Sequence, residues 1–216
     1  MKVRFKPQVL GAGLLLAAAG ALALYGQPDL EQKWTFMEPE YASRLEYREV
    51  YIDPAELLHL MNDDYIELLI YDVRDERDWN IFHLVDAERI DLADLPLQRK
   101  RLRSLSDLGV VVVVSNDEIL ATRAWKQLMA LAKPNVYILE GGINHWLNVY
   151  GVVDEEHENH GAASLARPDG TLRHPFRLAL GARHAAARPD EHRVPHREYT
   201  AKVKLLKKVA KAGGCD

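Results

Sequence analysis

The residues best placed to do chemistry follow a run of five valines, Val110 to Val114. The segment after the run is polar and then apolar: Ser115, Asn116, Asp117, Glu118, Ile119 and Leu120. A serine hydroxyl can act as a nucleophile when a base activates it, and carboxylates can move protons. The same carboxylates would repel an anionic substrate, since like charges about 5 Å apart cost on the order of 3 kcal/mol in a partly screened setting.

The valine run predicts a strand that is buried on both faces, as in a parallel sheet. A loop that leaves the carboxyl end of such a strand and enters a helix is the favoured place for an anion-binding site in an open α/β sheet. The chain therefore has the position of an active site but fills it with a serine and two acids. The sequence has no Gly-x-Ser-x-Gly elbow and no suitably placed His–Asp pair, so Ser115 is not expected to be a hydrolase nucleophile.

Strand and helix patterns alternate on both sides of this loop, which predicts a parallel α/β sandwich of layers. Asp53 and Pro54 have the layout of a helix start, with a capping carboxylate followed by proline. Further strands are predicted at residues 68–71, 89–90 and 136–139, and helices at residues 95–105, at 121–132 and after Gly141 and Gly142. A polar connector is expected from about residue 27 to residue 47.

Composition excludes several classes of function. The net charge is −4 and the isoelectric point is near 6.1, so no basic field indicates a nucleic-acid partner. The single cysteine, Cys215, excludes an intrachain disulfide and any cysteine-rich zinc or iron–sulfur site. We expect no cofactor and no metal site.

In the N-terminal segment, charged and apolar residues follow one another in the order typical of an export signal or membrane anchor. Basic residues precede an uncharged run from Val9 to Tyr25, whose length of about 17 residues just reaches that of a bilayer span. The charges on its two sides predict a cytoplasmic N-terminus and a domain in the periplasm or exterior. We expect a single-pass anchor in the inner (cytoplasmic) membrane over residues 1–26. Cleavage near Ala21-Leu22-Ala23, giving an exported form, stays open.

Four landmarks follow one another between residues 48 and 152. They are Asp72-Val73-Arg74, His83-Leu84-Val85-Asp86-Ala87, the valine strand with its loop and helix, and Gly141-Gly142-Ile143-Asn144-His145-Trp146. In this order the segment resembles a rhodanese-like domain, although Asp86 replaces the glycine of the family's His-x-x-Gly-Ala motif. The resemblance implies a three-layer fold with a parallel sheet flanked by helices.

Each landmark has a structural role that needs no catalysis. Asp72 and Arg74 would tie neighbouring loops together by charge-assisted hydrogen bonds, and His83 is expected to be a structural histidine. Gly141 and Gly142 would supply an unusual backbone turn, and Trp146 would anchor the core.

The resemblance also implies what the loop has lost. Active rhodaneses carry a cysteine at the position of Ser115, and its thiolate takes sulfur from an anionic donor and holds it as a persulfide. A hydroxyl cannot do this. The family's loop is usually rich in glycine and arginine, whereas the segment from Asn116 to Leu120 has neither. We therefore predict a pseudoenzyme with a vestigial nucleophile position and a vestigial loop.

The composition changes in residues 153–216. Residues 154–160 are acidic and contain histidine, and six of the nine histidines fall in this tail. A stripe of Tyr199, Val203, Leu206 and Ala210 among lysines predicts a basic amphipathic helix. The chain then ends in Gly-Gly-Cys-Asp, with Cys215 as a candidate thiol.

Three functions agree with these patterns. The first is a membrane-tethered rhodanese-like module without catalysis that acts as a binding or scaffold domain for a protein partner, as in a membrane complex. The second is a sulfurtransferase or persulfide carrier that uses Cys215 in place of the missing thiol. The third is a metal-handling periplasmic protein that uses the histidines of the tail.

Overall fold

A computed structural model of the chain describes residues 15–16, 19–20, 29–131, 135–151, 170–174, 176 and 178–205. Its helices are α1 (Leu30–Glu46), α2 (Pro54–Asn62), α3 (Glu76–Ile81), α4 (Arg99–Ser104), α5 (Ile119–Ala130) and α6 (Gly142–Tyr150). Its strands are β1 (Tyr51–Ile52), β2 (Glu67–Asp72), β3 (Ala87–Arg89), β4 (Gly109–Val114) and β5 (Val136–Leu139). Short 3₁₀ helices occupy Leu92–Gln98 and Ala185–Ala187.

The strands form one parallel sheet in the order β1-β5-β4-β2-β3, so the valine strand β4 lies at its centre. Alternate side chains of a strand point to opposite faces. Val111 and Val113 accordingly join the core cluster under α1 and α5. Val110, Val112 and Val114 join the cluster under α2 and α6. Because helices cover both faces, the predicted α/β fold with a parallel sheet flanked by helices is confirmed.

The structure adds a helix that the sequence prediction missed. Residues expected to be a polar connector form α1, whose start is a capping box between Asp29 and Gln32. Trp34 is buried and contacts the edge of the Trp125 ring of α5, with the ring centroids 5.6 Å apart. The segment before β1 is therefore part of the packed domain.

The tail also packs against the domain. The main-chain N–H groups of Lys202 and Val203 donate to the buried carboxylate of Glu56, each at 2.8 Å, and the indole of Trp146 donates to Ala186 O at 2.7 Å. Residues 199–205 are irregular, so the prediction of a helix there is wrong; the Lys202 and Val203 amides bond to Glu56 instead of to a preceding turn. Leu206, Ala210 and the acidic segment 154–160 lie outside the described residues.

The membrane segment stays a prediction. Of the run from Val9 to Tyr25, the structure describes only residues 15–16 and 19–20. In the part of the chain that is described, we find no helix with the length and apolar character of a membrane span.

Candidate functional site

The loop between β4 and α5 uses its own side chains to satisfy its backbone. The Ser115 hydroxyl is buried; it donates to Asp117 O at 2.7 Å and accepts from Ala121 N at 3.1 Å. The Asp117 carboxylate accepts from Ile119 N at 2.8 Å. Two main-chain N–H groups at the helix start, which could otherwise face an anion, are thus bonded to oxygens of the loop itself.

Glu118 is held by a partner that sequence patterns did not predict. The Arg48 guanidinium donates to both of its carboxylate oxygens, at 2.6 and 3.1 Å, and Gly141 N donates to it at 2.7 Å. Arg48 also contacts Glu140 at 3.2 Å. Partial burial alone would raise the pKa of Glu118, but these hydrogen bonds, together with the positive charge of Arg48, lower the pKa overall. The hydrogen bonds to Glu118 raise the pKa of Arg48 further above its usual value.

Asn116 lies at the end of a buried polar network. Asp72 and Arg74 form a fully buried ion pair, with Arg74 Nη2 2.6 Å from the Asp72 carboxylate. The same guanidinium donates to Phe82 O at 2.6 Å and to Asn116 Oδ1 at 3.2 Å. The Asn116 amide in turn donates to Asp78. The guanidinium therefore fixes the end of β2, the end of α3 and the loop after β4 relative to one another, as charge-assisted bonds from a planar group can.

The glycine pair brings α6 against this loop. Gly141 and Gly142 both have positive φ, 66° and 63°. A Cβ atom on Gly142 would lie 2.4 Å from both Ser115 O and Asp117 O, so this approach requires glycine. Ile143 N donates to Ser115 O at 2.8 Å as a result.

Part of the tail covers the loop. Asn116 Nδ2 donates to Gly170 O at 2.9 Å, and Asn144 Nδ2 donates to Thr171 O at 2.8 Å. Arg173 N donates to Asn144 Oδ1 at 2.8 Å. Asn144 and this segment were missed by the sequence prediction. The only available signal was a polar residue on an otherwise apolar face of α6.

The other predicted site residues lie as follows. The His83 ring stacks on Trp79, with centroids 3.7 Å apart, and its Nδ1 donates to Trp79 O at 2.8 Å. Trp146 is completely buried. Leu120 is partly buried against the core, and Ile119 is exposed at the start of α5. Asp86 has a φ of 62°, a backbone conformation that favours glycine. This explains why the His-x-x-Gly-Ala motif has glycine at this position. Cys215 lies outside the described residues.

The ion pair between Arg48 and Glu118 predicts a pH dependence of stability. Because the folded state lowers the pKa of Glu118, the pair stabilises the fold above the unfolded pKa of about 4.5, and this contribution is lost as the pH falls through the lower folded value. Glu118→Gln should therefore lower the free energy of unfolding at pH 7 by about 0.5–1 kcal/mol, the range of a partly exposed pair. Urea unfolding at a series of pH values measures this difference.

The matched control is Glu38→Gln, which changes an exposed glutamate of α1. It should shift the free energy of unfolding less at every pH. The assignment is contradicted if the difference between Glu118→Gln and the unmodified chain stays constant as the pH is lowered well below 4.5.

Comparison with known proteins found a matching family model and several similar solved structures. Residues 53–149 match the family model of the rhodanese-like domain. A crystal structure of the BH2092 protein from Bacillus halodurans is 19% identical and covers 57% of this chain and 98% of its own, with a TM-score of 0.41. A rhodanese-like domain protein from Staphylococcus aureus is 20% identical and covers 44% of this chain and 89% of its own, with a TM-score of 0.37.

The solution structure of a rhodanese-like domain from Anabaena sp. is 18% identical, with a TM-score of 0.40, and covers 70% of this chain and 98% of its own. The comparison with curated proteins found no match. The family match begins just before α2 and ends within α6, so it includes β2 to β5 and the loop after β4, whereas α1 and β1 precede it. Residues 53–149 therefore form a rhodanese-like domain.

Proposed function

We propose that this protein is a rhodanese-like pseudoenzyme, a membrane-tethered module that binds a protein partner and does not transfer sulfur. The observation that carries the proposal is the environment of the Ser115 hydroxyl. At the tip of the central strand, this group both donates and accepts a hydrogen bond inside its own loop. It is a structural hydroxyl that closes the turn into α5.

The loop also lacks the means to hold an anionic sulfur donor. Sulfur transfer needs a thiolate and a cradle of N–H groups or positive charge around the donor. Here the N–H groups of Ile119 and Ala121 donate to Asp117 and Ser115. The two guanidinium groups that bond to side chains of the loop, those of Arg48 and Arg74, are paired with Glu118 and Asp72.

The retained parts of the site support a role in binding. The buried ion pair at the end of β2 is weak evidence for stability, because the desolvation of two charges offsets most of their attraction. The pair between Asp72 and Arg74 instead fixes Asn116 beneath residues 170–173, where it donates to Gly170 O. The site thus presents polar groups in a defined geometry without a reactive atom.

The Ser115→Cys variant tests directly whether the site has lost the ability to transfer sulfur. We expect thiosulfate:cyanide sulfurtransferase turnover in the full chain to stay at the background of the unmodified protein. The introduced thiol would be buried against the Asp117 carbonyl oxygen. Burial raises its pKa, and the carbonyl accepts a hydrogen bond only from the protonated thiol, so both effects oppose the thiolate. Intact mass after thiosulfate treatment should show no added sulfur atom on this residue.

Cys215→Ala in the same background removes the only other thiol and serves as the control. Turnover in the Ser115→Cys, Cys215→Ala double variant would contradict the proposal. Turnover in the unmodified chain that disappears with Cys215→Ala would favour the persulfide-carrier alternative.

The tether is tested by fractionation. In a bacterial host, the full chain should remain in the membrane pellet after an alkaline carbonate wash. A Leu15→Arg, Leu16→Arg double variant should leave the pellet, because charges at the centre of a span of about 17 residues are costly. A full-length chain recovered as soluble protein, or a shortened chain released by cleavage, would contradict the tether.

A further inference from the structure

Asn116 and Asn144 both contact the segment 170–173 at its main chain. Asn116 bonds to Gly170 O, and the amide of Asn144 bonds to Thr171 O and Arg173 N, at distances of 2.8 to 2.9 Å. Each of these three hydrogen bonds from the asparagines goes to a peptide group of the segment. A primary amide that donates to one peptide group and accepts from another can recognise a backbone without regard to its side chains.

The two asparagines form a built site. Asn116 is 4% exposed and Asn144 is 7% exposed. Arg74 fixes the Asn116 amide, and Asn144 N donates to Asn116 O at 3.1 Å. The Asn116 side-chain amide is therefore oriented before any ligand arrives, and the main chain of Asn144 is fixed beside it, which reduces the entropy cost of binding.

The site also places limits on its occupant. Gly170 has a φ of 91°, a conformation that favours glycine, and it lies against the Asp117 carboxylate. Two residues later, Leu172 packs against the core cluster under α6. The matching ligand is thus a peptide with glycine followed, after one residue, by an apolar side chain.

We propose that Asn116 and Asn144 form a peptide-binding site that the protein fills with its own residues 170–173, and that a partner's Gly-x-apolar segment binds there by exchange. This inference rests on the proposed function as a binding module and names its ligand class. A segment of the same chain competes at an effective concentration of the order of millimolar, so a free peptide binds well only where the internal segment is weakened.

The probe is a fluorescein-labelled peptide of residues 168–175, and the assay is fluorescence anisotropy with the full chain. In Leu172→Asp the internal segment loses its apolar anchor, so the labelled peptide should bind about 10-fold or more tightly than it binds the unmodified chain. Adding Asn144→Ala should reverse this gain. Asn148→Ala, an exposed asparagine one turn further along α6, is the matched control and should leave the gain intact.

Circular dichroism checks that Leu172→Asp is folded, and Leu172→Ala replaces it if it is not. Hydrogen exchange gives a second readout without a probe, since Asn144→Ala should speed exchange of the Arg173 amide about 10-fold and leave that of Val113 unchanged. The proposal is overturned if the weakened chains bind the peptide no better than the unmodified chain, or if Asn144→Ala changes neither binding nor exchange. If the peptide tests fail while Ser115→Cys is still inactive, only the proposal of a peptide site is wrong. The proposal that the protein has lost sulfurtransferase activity would still stand.

Discussion

Two main-chain N–H groups at the start of α5 bond to side chains of the loop after the central strand, and the packing around the loop depends on this constraint. Buried N–H groups must find acceptors, and an acceptor from the protein competes with any ligand for the same group. Here Ser115 and Asp117 supply these acceptors to Ala121 and Ile119. Once these bonds exist, α6 can pack directly against the loop, as the close approach of Gly142 shows.

Charge then fixes the position of this closed loop from two sides. Arg74, buried with Asp72, reaches Asn116 from one side. Arg48 binds Glu118 and Glu140 from the other. In a sulfur-transferring relative, positive charge at this edge of the sheet would serve the substrate. In this chain each of these two guanidinium groups is paired with a carboxylate of the domain. Their positive charge therefore holds the loop in position.

Local pattern was enough to predict most of the domain. Some elements depend only on periodicity or on residues close in sequence, and the structure has each of them. They are the valine strand, strand β5, the Asp53 cap and the helix after Gly142. Helix α1 could have been predicted from the spacing of Leu30, Trp34, Met37, Tyr41 and Leu45, but charged residues between them and the internal Pro39 obscured it.

Long-range pairing was not predictable from one sequence. Arg48 and Glu118 are 70 positions apart, and no local rule connects them. No local rule connects Asn144 with the segment 170–173 either. Nor does the sequence around Glu56 indicate that the main chain at Lys202 donates to its buried carboxylate. The tail was expected to be a separate region with a helix because its composition differs. Its described parts pack instead, because their peptide groups bond to polar side chains of the domain and apolar residues such as Leu172 and Ala186 join the core.

The central claim is that the loop cannot accept an anion, and amide NMR of the full chain during titration with thiosulfate tests it most directly. The account predicts that the Ile119 and Ala121 amide resonances stay in place at millimolar thiosulfate, since both groups already donate to the loop's own oxygens. Saturable shifts centred on these two amides would contradict it, because they would show that the loop opens to hold the donor.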